Sequence, residues 1–163
     1  MKKLILLLAV LFTGICNAQF IKEVDDFSKI KIDANAQIEI VHSTKNQVVF
    51  SKKEQDLKGL VVTSENNALR ITDTSINKLK DLRIRIYTND VEALSVDGSS
   101  KIVFNNFSYQ DSMVIMATSG ATVNTGDMIV KDLKIVRSSG SEVVCKNAKN
   151  TKESIDGVMV AMN

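Results

Sequence analysis

Five carboxylates in the second half of the chain have the residue type for glycoside hydrolysis: Asp97, Asp111, Asp127, Asp132 and Glu142. That chemistry needs two carboxyls facing each other across a bond at a set separation. None of the five sits in a motif that enforces such a pairing. Asp97 and Glu142 adjoin glycine turns, the others fall between strand-like runs, and turn or solvent roles account for each. Cys145 as a nucleophile needs a base beside it, and the one histidine, His42, lies far upstream. Asp25-Asp26 offers two oxygen ligands to Ca²⁺ without the spaced Asp/Asn/Gly loop that completes such a site. The chain has no phosphate loop, nucleophile elbow or paired CxxC. The reading is a non-enzyme without catalytic, metal or cofactor residues.

The small polar turns are more informative. Asp97-Gly98-Ser99-Ser100, Ser119-Gly120-Ala121-Thr122 and Ser139-Gly140-Ser141-Glu142 place glycines 22 and then 20 residues apart. A period near 20 marks a solenoid, each repeat being one coil stacked on the last. Gly98, Gly120 and Gly140 then read as structural corners, where a left-handed backbone is inexpensive for glycine. Ser99, Ser100, Thr122, Ser141 and Glu142, with Ala121 among them, form a candidate contact strip along one edge. Turn chemistry by itself also favours Ser and Thr there.

The elements that must position these turns are strands. Ile30-Lys31-Ile32, Ile38-Glu39-Ile40, Val48-Val49-Phe50, Leu60-Val61-Val62-Thr63, Leu69-Arg70-Ile71-Thr72 and Leu82-Arg83-Ile84-Arg85-Ile86 alternate or run apolar, with turn-formers between them. Ser51 to Lys58 has room for one helical turn, and Asp73 to Lys80 is a polar loop. The class is therefore all-β, a parallel β-helix, with the first half forming the earlier coils. Aligned on glycine, Val91, Met113 and Leu133 form one column. Leu94, Met116 and Val136 form a second, and Val96, Thr118 and Ser138 a third. Beyond the glycines Ile102 and Phe104 point inward; Val123 and Thr125, or Val143 and Cys145, follow one residue earlier, and the register there stays open. Ile155-Asp156-Gly157 is a degenerate fourth corner before a last strand.

The N-terminus reads as a cleaved signal peptide over residues 1–18. Lys2 and Lys3 precede an apolar stretch, Leu4 to Phe12, too short to span a bilayer, and Cys16 and Ala18 sit at −3 and −1 before Gln19. An acylated Cys16 is disfavoured by Ile15 before it. Residues 19–163 then form one domain, exported to the periplasm or the surface, with no later transmembrane helix. Loss of both lysines leaves 19 basic and 19 acidic residues, which argues against nucleic acid as a partner. Cys145 is left without an intrachain partner and reads as a small buried residue.

Taken in order, Phe27-Ser28-Lys29-Ile30-Lys31-Ile32, Ile38-Glu39-Ile40-Val41, Asn46-Gln47-Val48-Val49-Phe50, Ala68-Leu69-Arg70-Ile71, Leu82 to Tyr87, Leu94 to Ser100 and the Ser-Gly-Ala/Ser repeats resemble the putative auto-transporter adhesin, head GIN domain family of bacterial envelopes. The resemblance covers nearly all of residues 19–163. It implies a short right-handed parallel β-helix, export and no assigned catalysis. Two departures stand out: Asn89-Asp90-Val91 replaces a frequent Pro, and the chain has fewer coils than many members. The function these readings imply is adhesion or surface interaction, with a glycan or envelope protein as partner. A carbohydrate-active β-helix enzyme and a periplasmic structural factor without a ligand remain the alternatives, and oligomeric state stays open.

Overall fold

The computed structural model describes residues 19–76 and 78–160, so the segment read as a signal peptide lies outside the described residues. The strands are β1 (Phe20–Glu23), β2 (Lys29–Asp33), β3 (Ala36–His42), β4 (Gln47–Phe50), β5 (Leu60–Glu65), β6 (Ala68–Asp73), β7 (Leu82–Thr88), β8 (Ala93–Asp97), β9 (Lys101–Asn105), β10 (Tyr109–Ala117), β11 (Thr122–Asn124), β12 (Ile129–Arg137), β13 (Glu142–Val144), β14 (Asn147–Ile155) and β15 (Val158–Val160). Among the described residues a single 3-10 turn, Glu54–Leu57, interrupts them where the polar stretch allows one. The chain is all-β, as its alternation requires.

The strands form two sheets. One has seven strands in the order β1-β4-β7-β3-β9-β11-β13; the other has eight in the order β15-β14-β12-β10-β8-β2-β6-β5. The chain steps from the eight-stranded to the seven-stranded sheet between β2 and β3, β8 and β9, β10 and β11, and β12 and β13. Pairings along this stack are parallel, and those at its ends, β1–β4, β4–β7, β5–β6 and β14–β15, are antiparallel. Inward side chains of both sheets, Ile30, Ile32, Leu69, Leu94 and Ile115 from one and Ile38, Ile40, Ile84, Ile86, Ile102 and Val123 from the other, meet in one core. The intervening residues face water, giving each strand its period of two.

Chain order is not stacking order. The first half does not simply precede the second in space: β2 lies between β6 and β8, and β3 between β7 and β9. After β3 the chain runs outward through the antiparallel β4 and β5 and returns as β6 and β7. The inserted loop after Asp73 accommodates this return. Its carboxylate accepts hydrogen bonds from the Leu79 backbone N–H at 2.9 Å and from the Ser75 backbone N–H and hydroxyl.

The columns also differ from those that glycine alignment predicts. Leu94 shares a column with Ile115 and, through it, Ile135, not with Met116 and Val136. Val96 shares a column with Ala117 and, through it, Arg137, not with Thr118 and Ser138. Met113 does pair with Leu133, while buried Val91 precedes β8 outside the ladder. The reason is local. The corners Val96 to Ile102, Ala117 to Val123 and Arg137 to Val143 have the same length, and so does the glycine-free Ile32 to Ile38. Glycine occupies the second position past the strand residue in the first corner and the third in the next two. The position of Gly98 (φ 97°) is filled in the second corner by Ser119, itself at φ 57°. Beyond the corner Val123 pairs with Ile102 and Val143.

The C-terminal end closes differently from a further coil. Asp156 (φ 49°) and Gly157 (φ 83°) form a two-residue hairpin turn, and β15 folds back antiparallel on β14. Two core columns carry a charged residue near this end. Glu153 continues the Leu94–Ile115–Ile135 column, and Arg137 stands in the Val96–Ala117 column. Arg137 Nε donates to Glu153 Oε1 at 2.5 Å, and an Nη donates to the Ser141 carbonyl at 2.9 Å.

Candidate functional site

The outer face of the seven-stranded sheet carries a shallow groove of about 760 Å³, built on β3, β4, β7 and β9. Strand alternation puts every second residue outward, and parallel register lines these residues up across the strands. One row reads Ser51, Arg83, Gln37, Lys101, Thr122, Glu142. The next reads Val49, Arg85, Glu39, Val103, Asn124, Val144. The groove is lined by the first row up to Lys101 and the second up to Val103, with Asn105 beside them. Neighbours within a row stand about 4.8 Å apart at the backbone.

The charges in the groove are organised around Glu39. Its Oε2 receives Arg85 Nε at 2.5 Å and its Oε1 receives Asn105 Nδ2 at 2.5 Å. Burial raises the Glu39 carboxyl, but the hydrogen bonds from Arg85 and Asn105 and the Arg85 charge outweigh it and hold it below the usual carboxylate range. The Arg85 guanidinium is raised, first by its bond to Glu39 and then by the Tyr87 hydroxyl at 3.4 Å. The Arg83 guanidinium and the Lys101 ammonium make no hydrogen bond or ion pair among the described residues.

The sequence-derived strip divides between this face and the corners. Thr122 and Glu142 extend the groove's first row. Ser99 is exposed at the first corner, where its N–H donates to Asn35 Oδ1 at 3.0 Å. Ser100 and Ser141 are buried. Ser100 Oγ donates to the Ala34 carbonyl at 2.5 Å and accepts from the Ala36 N–H at 3.1 Å. Ser141 Oγ accepts from the Gly120 N–H at 3.2 Å. Ala121, the equivalent of both serines, is buried as well. The two serine hydroxyls thus tie neighbouring inter-sheet turns together. Gly98, Gly120 and Gly140 all have positive φ. At Gly98 a Cβ would lie 2.9 Å from the Ala34 carbonyl oxygen.

The five carboxylates do not converge. Asp97 Oδ1 accepts from Ser119 Oγ at 2.6 Å and Thr118 Oγ1 at 3.0 Å, and these bonds lower its pKa against a smaller opposing effect of burial. Asp111 binds Tyr109 and lies 3.6 Å from Lys131; Asp132 accepts from Asn150 at 2.9 Å. Asp127 is exposed before β12, and Glu142 is on the outer face of β13. His42 packs edge-on against Phe107, with ring centroids 5.3 Å apart. It is on β3, three strands from the β13 side where half-buried Cys145 sits, about 14 Å away across the sheet. Among the described residues no three His, Cys, Asp or Glu side chains are grouped to hold a metal. No described helix is long and apolar enough to cross a membrane.

Sequence reasoning missed Arg83, Arg85, Gln37, Glu39 and Lys101 as site residues. The alternation Leu82-Arg83-Ile84-Arg85-Ile86 already places both arginines outward, but only register puts Gln37 and Lys101 beside Arg83.

Such a fold defines a class: a two-sheet, all-β stack of mostly parallel strands that presents polar rows on its outer face. Within that class the chain belongs to the family described as "Putative auto-transporter adhesin, head GIN domain", which matches residues 26–156. Solved structures share the fold. A putative adhesin from Bacteroides fragilis superposes with a TM-score of 0.74 at 16% identity, over 82% of this chain and 64% of its own. One from Parabacteroides merdae gives 0.70 at 15% identity, over 83% and 57%. A putative lipid binding protein from Parabacteroides distasonis gives 0.57 at 21% identity, over 85% and 67%. The chain thus spans about three fifths of the length of the two adhesin structures. No curated protein matches it.

Proposed function

We propose that this chain is an exported, non-enzymatic interaction domain of the bacterial envelope, acting in adhesion, with the outer face of the seven-stranded sheet as its working surface. The observation that carries this is the row Ser51, Arg83, Gln37, Lys101, Thr122, Glu142, which lays hydrogen-bonding side chains across five strands and the end of β4, its first four residues lining a groove. Family membership and the likeness to structures described as adhesins agree with it. In this reading the architecture is a right-handed parallel β-helix, supported by the parallel ladders and the regular steps between sheets. Gly98, Gly120 and Gly140 serve as corners. Thr122 and Glu142 belong to the contact surface with Ser99 at its margin, while Ser100 and Ser141 hold the coils together. Residues 1–18 act as the signal peptide and 19–163 as the single domain, delivered to the periplasm or the cell surface. The partner is a glycan or an envelope protein.

The test is binding of purified residues 19–163 to an array of glycans and envelope proteins, alongside Gln37→Trp, which fills the groove centre from an exposed position. Binding that Gln37→Trp weakens supports the reading. No reproducible binding, or binding indifferent to Gln37→Trp, overturns it.

A further inference from the structure

We propose that the groove on the seven-stranded sheet takes an acidic saccharide chain, recognised by Arg83 and Lys101 on either side of Gln37; this rests on the reading of that face as the working surface. The groove lining holds three cations, Arg83, Arg85 and Lys101, against one carboxylate, Glu39. Glu39 is committed to Arg85 and Asn105. The Arg83 guanidinium and Lys101 ammonium therefore remain for a ligand. They stand on β7 and β9 with β3 between them, about 10 Å apart at the backbone. Residues 19–163 carry equal numbers of basic and acidic residues, so this excess is a local feature of the groove and not a general basicity.

The groove floor decides between kinds of anionic partner. β7, β3 and β9 lie inside the sheet with neighbours on both sides, so their backbones cannot add a peptide as a further strand. The outward apolar side chains of the lining are Val49 and Val103; Phe50 borders the groove but is buried in the core, so no exposed aromatic or deep apolar pocket is there to anchor a peptide hot spot. A neutral sugar likewise finds no exposed aromatic plate in the lining, since Phe50 is buried and Tyr87 stands beyond Arg85 outside the groove. What the face offers is a line of side-chain donors and acceptors, with two cations spaced along it. That suits a hydroxyl-rich chain whose acid groups recur along its length, as carboxylates or as sulfates.

The experiment measures binding of residues 19–163 to polygalacturonate, dextran sulfate, unmodified dextran, polyglutamate and anionic phospholipid vesicles. Wild type is compared with Arg83→Gln/Lys101→Gln and with Lys134→Gln/Lys152→Gln, a charge-matched pair on adjacent strands of the other sheet. Circular dichroism and melting temperature check that each variant is folded. The expected result is binding to polygalacturonate or dextran sulfate that weakens with salt. It falls about tenfold or more in the groove variant, which can no longer make two charge-assisted hydrogen bonds to the saccharide, and is unchanged in the control variant. Polygalacturonate alone identifies a carboxylated chain, and dextran sulfate alone a sulfated one. Equal binding of dextran or polyglutamate, binding of vesicles in place of polysaccharide, or equal losses in both double variants overturns the proposal. If acidic polysaccharides fail while an array ligand remains sensitive to Gln37→Trp, the ligand class falls and the working surface stands.

Discussion

Ser100 Oγ donates a 2.5 Å hydrogen bond to the carbonyl of Ala34, 66 residues earlier in the chain, and accepts the N–H of Ala36 at 3.1 Å. One buried hydroxyl thereby joins two adjacent corners, one built with glycine and one without.

Ser100→Ala leaves the Ala34 carbonyl and the Ala36 N–H short of that partner inside the protein. The expected loss is about 1–3 kcal/mol, read as a lowered urea midpoint with an unchanged slope. Ser99→Ala, at an exposed neighbour, is expected within about 0.5 kcal/mol of wild type. Equal effects of the two would mean the buried hydroxyl carries no special weight.

Glycine is required most strongly at position 98. Gly98 and Gly140 share a positive φ, but a Cβ at Gly98 meets the Ala34 carbonyl oxygen at 2.9 Å and Asn35 Oδ1 at 3.0 Å, while at Gly140 it meets nothing within 4 Å. Gly140→Ala is expected to cost about 1 kcal/mol from the backbone conformation. Gly98→Ala is expected to cost about 1–3 kcal/mol more, since backbone must shift. Thermal melts of the two variants make the comparison, and a Gly140 effect as large as that of Gly98 would contradict it.

The Arg137–Glu153 pair interrupts two otherwise apolar columns, with side chains only 24% and 13% exposed. Removing Arg137 alone strands the Glu153 carboxylate among core residues. Arg137→Leu is therefore expected to cost about 3 kcal/mol, and Arg137→Leu/Glu153→Leu distinctly less. A double variant that loses the sum of both single losses would show that the pair has no coupling.

Acid should act on three carboxyls. Burial works against ionisation of Glu39 and Asp73, but hydrogen bonds from Arg85 and Asn105 on one, and from Ser75 and Leu79 on the other, lower both; at Asp97 the Ser119 and Thr118 bonds lead. Each folded pKa lies below its unfolded value, so the stabilisation is present above the ordinary carboxylate range and is lost as pH falls through the lowered folded values. Urea midpoints across pH 7 to 2 should be flat near neutrality and fall in the acid limb. Asp73→Asn should shallow that limb, and an unchanged limb would exclude Asp73 from it.

Much was legible in the chain itself. Alternation such as Leu82-Arg83-Ile84-Arg85-Ile86 determined that Leu82, Ile84 and Ile86 face the core and Arg83 and Arg85 face water, because successive side chains on a strand point to opposite faces. The Gly-Ser corners were visible because few residues tolerate a left-handed backbone. A period of two assigns a face but names no neighbour. Which strand lies beside which is decided by closure of the whole stack, and that placed β2 between β6 and β8 against chain order. The glycines misled the column alignment because glycine can sit at either of two left-handed positions in the turn, the second as Gly98 or the third as Gly120, whose preceding Ser119 is left-handed too. The sequence by itself thus determined an all-β chain with polar outer faces and tight corners. Only the tertiary structure brought Glu39 to Arg85 across 46 residues and left Arg83 and Lys101 uncommitted beside Gln37, because pairing register between distant strands carries no local signal.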